Sequence, residues 1–190
     1  MTQLAHAINA YIRAKDNNRP YLMAQAFESD ATLTMIVETD QISFPAEAHG
    51  RTEISSVLVT QFALRYENVF TFCLCAPPSD DARSFECGWL VCMTEKETGA
   101  ARIGYGRYHW QRADRSAKVS RLQITIQQMI VLPKEAAEPL LLWAQQLPYP
   151  WCLAEDLAKE MPHLDALRNI VDTLTASRPE SDDRAAHAMG

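Results

Sequence analysis

The 190-residue chain has only six glycines, and its ten prolines follow no repeat, so collagen-like and linker-like compositions are excluded. Basic residues are also in short supply. Eighteen Lys and Arg against 24 Asp and Glu leave a formal charge of −6, with no cationic stripe to neutralise phosphates, which argues against nucleic acid as a main partner. No apolar run approaches the roughly 18 residues that a membrane-spanning helix needs. The opening MTQLAHAINAYIRAKD lacks the charged start and continuous apolar core of a secretory signal, so no membrane partner is expected. The five cysteines, Cys73, Cys75, Cys87, Cys92 and Cys152, are odd in number and form no CxxC pair, which predicts buried thiols in a reduced, cytoplasmic protein without a metal. GxGxxG after a strand, GK[ST], GxSxG and HExxH are all missing, so nucleotide folds and the common hydrolase and metalloprotease sites lack their residues, and no cofactor is implied.

What the chain does have is enough apolar mass for a full core: 47% hydrophobic against 22% charged residues. Leu4, Ile8, Tyr11 and Ile12 recur at helical spacing behind a Thr2 cap, and Pro20 can open a second, short helix. The β-branched stretch 31–38 reads as a strand with Leu33, Met35 and Val37 on one face, and 42–46 is its expected short partner. Thr52 caps a third helix carrying Ile54, Val57, Leu58 and Phe62. Four strands follow, at 69–76, 84–95, 101–113 and 118–132, joined by turns at Pro77-Pro78, Thr98-Gly99 and Asp114-Arg115-Ser116, which suits consecutive antiparallel pairing. Helices followed by long strands form an α+β layer arrangement in which the helices cover one face of a curved antiparallel sheet. Beyond Leu132 the character changes. Residues 133–176 read as a helical extension too apolar to be left in water, expected to pack near the open end of the fold, and 177–190 as a polar tail.

The strings Ala10-Tyr11, Phe27-Glu28-Ser29-Asp30-Ala31, His49-Gly50-Arg51-Thr52-Glu53-Ile54 and Gly104-Tyr105-Gly106-Arg107-Tyr108-His109-Trp110, in that order, resemble the nuclear transport factor 2-like superfamily in its SnoaL-like branch. The resemblance covers about residues 2–132. It implies a cone, a cystatin-like roll, whose wall is the curved sheet and whose interior holds a small, mostly apolar molecule. The ketosteroid isomerase-like members of that superfamily carry a carboxylate base on the first strand. Met35 stands at that position here, and Gly106 at their second acid, so steroid isomerase chemistry is disfavoured.

Period two places Gly104, Gly106, Tyr108 and Trp110 on one face of their strand, so two glycines leave room between two aromatics. A pocket lined by Tyr11, Met35, Trp89, Tyr108 and Trp110 is expected. Tyr11 and His49 are the polar groups available for proton chemistry of a lyase or isomerase kind. The competing expectation is a non-catalytic interaction module whose cone is filled by its own side chains. Arg107, His109, Gln111, Arg121, Gln123 and Gln127 alternate on the opposite face and suit a homodimer packed sheet against sheet.

Overall fold

The computed structural model describes residues 2–113 and 116–176; the turn at Asp114-Arg115 and the polar tail 177–190 lie outside them. Helix α1 (Gln3–Asp16) starts where expected, with the Thr2 hydroxyl accepting from the Ala5 N–H at 3.1 Å. A one-turn helix α2 (Met23–Ala26) leads directly into strand β1 (Phe27–Val37). The short partner strand β2 is Glu47–His49 rather than 42–46, because Ile42 and Phe44 turn inward onto the core instead of pairing. Gly50, at φ +78°, and not Thr52, precedes helix α3 (Arg51–Ser55). The helix continues through a π-helical turn (Ser56–Gln61) into α4 (Phe62–Arg65), and such a turn rotates Leu58 and Phe62 together toward the sheet.

Strands β3 (Tyr66–Cys73), β4 (Ser84–Glu95), β5 (Ala101–Arg112) and β6 (Val119–Leu132) pair consecutively and antiparallel. The full order is β2-β1-β6-β5-β4-β3. The pairing of β1 with β6 is parallel, so the sheet is mixed. Register shifts at Tyr105/Gly106 and near Gln111 bend β5 and β6 around α1. The concave face and the N-terminal helices share one core that includes Tyr11, Leu33, Trp110 and Ile124.

A second core lies on the convex face. Here α5 (Ala137–Ala144) and α6 (Asp165–Ala176) bury Leu140, Trp143, Leu167 and Ile170 against Phe72, Leu90, Cys92 and Ile103. The extension therefore docks on the back of the sheet and not over the open end. The reason is readable in period two: Phe72, Leu90 and Ile103 point away from the cone, and water is a poor neighbour for them. Between the helices, residues 151–161 contain a short 3-10 turn (Ala154–Ala158) in place of a third helix. The segment before it, Tyr149-Trp151, returns to the edge of β3, where the Cys73 N–H donates to the Pro150 carbonyl and the Cys73 carbonyl accepts from the Cys152 N–H. Among the described residues no helix is long and apolar enough to cross a membrane.

Candidate functional site

The concave core encloses a cavity of about 50 Å³. Tyr11 from α1, Met35 from β1, Trp89 from β4 and Tyr108 from β5 all line it, as the sequence pattern predicts. Trp110 does not. It is fully buried behind Tyr11 and Tyr108, with ring centroids at 5.3 and 5.1 Å, and serves as core. His49 is not at the cavity either. Its side chain is 69% exposed on β2, where Nε2 lies 3.4 Å from Glu47.

Several polar atoms converge on this apolar space. The Tyr11 and Tyr108 hydroxyls face each other, and burial pushes both phenols well above their ordinary range, so both stay protonated at any physiological pH. The Trp89 indole N–H is buried without a partner. Lys15, at the end of α1, was not legible as a site residue, because a lysine in the last turn of a helix is normally a solvated dipole partner. Here its Nζ donates to Asp16 Oδ1 and Thr71 Oγ1, each at 2.7 Å, and sits 5.0 Å over the Phe62 ring.

Asp16 ties this corner together. Its carboxylate accepts from the Thr71 N–H (2.7 Å), the Thr71 hydroxyl (2.8 Å) and the Tyr149 hydroxyl (3.0 Å) besides Lys15. With its lone pairs so engaged, Asp16 holds a cation in place and is not available as a proton acceptor. No carboxylate and no imidazole lines the cavity among the described residues.

The mouth is closed by the 38–46 connection. Ile42 and Phe44 both line the cavity, and Phe44 stacks on Phe62 at 6.5 Å. The loop is latched by Arg102, a buried cation at the rim of β5. Its Nη1 donates to the Gln41 carbonyl at 2.7 Å, its Nη2 to Glu95 at 3.0 Å, and its guanidinium lies 5.4 Å from the Tyr66 ring. The Thr98 hydroxyl and then Arg102 hold the Glu95 carboxyl below its ordinary value.

Five free thiols complete the inventory. Cys73, Cys75 and Cys87 lie close together beside the concave core; the Cys87 contact and burial raise Cys75, and the Cys73 contact raises Cys87. Such thiols are weak nucleophiles. No cluster of described residues is arranged to hold a metal ion.

No family model matches the sequence, and no curated protein does either. Solved structures match its fold. A candidate isomerase from Rhodopseudomonas palustris superposes with a TM-score of 0.55 at 13% identity, covering 66% of this chain and 90% of its own. A computationally designed 17-OHP binder gives 0.53 at 9% identity, over 69% of this chain and 99% of its own. A nuclear transport factor 2-like superfamily protein from Salmonella enterica serovar Typhimurium gives 0.50 at 15%, over 64% and 87%. Across about two thirds of its length, the chain has the nuclear transport factor 2-like fold that its own strings resemble.

Proposed function

We propose that this chain binds a small, mostly apolar molecule carrying a hydrogen-bond acceptor, with the acceptor among Lys15, Trp89 and the Tyr11-Tyr108 pair. The observation that supports it is chemical: an almost wholly apolar cavity is met by an ammonium group and an unpartnered indole N–H, all donors. A carbonyl or carboxylate oxygen satisfies them. A neighbour of this fold is a hexachlorocyclohexane dehydrochlorinase, so small-molecule chemistry is compatible with it. Lyase or isomerase proton transfer would have to run through Lys15 or Tyr11, since no free carboxylate or imidazole faces the space.

The volume favours a second reading. Benzene occupies an engineered cavity of about 150 Å³, so the present 50 Å³ admits only a few atoms unless Ile42 and Phe44 withdraw. If they stay, the cone is filled and the protein works through its surfaces. We place a homodimer contact on the uncovered half of the convex face, around His109, Gln111, Arg121 and Gln123, and the whole in a reducing, cytoplasmic compartment that suits five free thiols.

Native mass spectrometry of the purified chain tests both. A retained small molecule that is lost when Val91→Phe fills the cavity supports the binding cone, and the same spectrum counts subunits. No bound mass, together with no melting shift on adding benzoate or acetophenone, supports the filled cone.

A further inference from the structure

The convex side of the sheet contains a much larger space than the cone. Between the sheet and the extension lies a cleft of about 650 Å³, within the roughly 300–1,000 Å³ typical of small-molecule sites. One cross-strand row forms its floor. Leu74 donates its N–H to the Gly88 carbonyl at 2.8 Å, and Gly88 stands opposite Arg107. Seen from the cleft, the row reads apolar side chain, no side chain, cation.

Nothing in the fold requires glycine at 88. Its φ is not positive, and an added Cβ would meet the Leu74 side chain at an ordinary 3.7 Å. Gly106 differs sharply: a Cβ there would lie 1.8 Å from the Thr125 carbonyl oxygen, so packing alone explains it. Glycine inside a strand weakens the strand. At 88 the return for that cost is an open slot in the cleft floor.

The slot has two chemically different ends. Leu74 on the floor and Leu153 and Leu174 on the roof make one end apolar. At the other end Arg107 is exposed, and no carboxylate among the described residues pairs with it. The roof also carries Glu155, and the nearby Lys159 is bonded to Asp156 at 2.6 Å, so the cation that reads an anion here is Arg107 on the floor. A guanidinium beside an apolar slot matches a planar oxyanion attached to a hydrocarbon or aromatic body.

We propose that the cleft between the sheet and the C-terminal helices binds a small amphiphilic anion, a carboxylate or sulfonate on an apolar body, with the anion on Arg107 and the body in the Gly88 slot against Leu74 and Leu174. The site is separate from the cone and stands whether or not the cone binds anything.

Anilinonaphthalene sulfonate, whose fluorescence rises on leaving water, is the probe for titrating the full chain. Saturable binding is expected. Arg107→Gln and Gly88→Leu should each weaken it about tenfold or more. Arg168→Gln, which removes an exposed cation from α6 outside the cleft, should leave it unchanged, as should Val91→Phe, which fills the cone. Absence of dye binding, equal affinities for the wild type and Arg107→Gln, or a loss caused only by Val91→Phe would each overturn the site. Should Gly88→Leu fail to fold, the exposed Arg107→Gln variant decides alone.

Discussion

The two faces of one sheet have been closed in opposite ways. On the concave side, three methionines, Met35, Met93 and Met129, and the aromatic set around Tyr11 fill the space from within one continuous stretch of fold, down to about 50 Å³. On the convex side, the lid arrives later in the chain, and helices α5 and α6 meet Phe72, Leu90 and Ile103 but leave about 650 Å³ beside them. Methionine, unbranched and soft, molds itself to gaps. A helix laid across a sheet cannot, since its contact is a stripe and the sheet continues past it. Room for a ligand therefore appears where a rigid element bridges a broad surface, while the cone that the superfamily resemblance singles out is the tighter of the two.

The comparison is broken most severely through Trp110. Trp110→Ala should cost about 3 to 5 kcal/mol, because a fully buried indole leaves a cavity under Tyr11 and Tyr108. Chemical denaturation measures it, and a loss under 1 kcal/mol would mean that the concave core collapses easily around the gap. The convex side is probed with Leu140→Ala, expected to cost about 2 to 5 kcal/mol in the same cooperative transition. A separate, earlier melting step for the helices would instead make the extension an appendage.

Tyr11→Phe sharpens the view of the cavity. It strands the Tyr108 hydroxyl in an apolar space, so about 1 to 3 kcal/mol should be lost, more than a hydroxyl facing water would cost. A melting temperature equal to wild type would show that water or a ligand already serves Tyr108. The smallest effect concerns the rim. Glu95 is held below its ordinary value near 4.5 by Thr98 and Arg102, so its contribution to stability is complete above that pH and disappears as pH falls through the lowered value. Melting curves of wild type and Glu95→Gln should therefore differ at pH 7 and converge in strong acid; a gap that widens on acidification would reverse the sign.

Much of the fold was legible from local pattern. The Thr2 cap, the alternation in β4, β5 and β6, and the two-face split of β5 each depend on neighbours a few residues apart. The parallel β1–β6 pair was not, because it joins Met35 to Ile124, far apart in sequence, and no short-range signal specifies it. The site divides in the same way. Tyr11, Met35, Trp89 and Tyr108 follow from strand and helix parity. Lys15, Asp16, Thr71 and Tyr149 come together from α1, β3 and the start of the extension, and Arg102 is buried only because Glu95, Tyr66 and the Gln41 carbonyl converge on it. His49 ends the three-residue strand β2, which is too short for its alternation to be read from sequence.

The order in which the chain is made gives the convex patch a further meaning. Phe72, Leu90 and Ile103 have all been synthesised before α5 and α6, and β1 cannot complete its parallel pairing until β6 exists. For that interval a nascent sheet displays an unsatisfied edge and an oily back, the combination that recruits chaperones or seeds aggregates. The extension 133–176 thus acts as an intramolecular chaperone that arrives late, and slowing translation just before it should lower the soluble yield of this protein more than slowing it anywhere earlier.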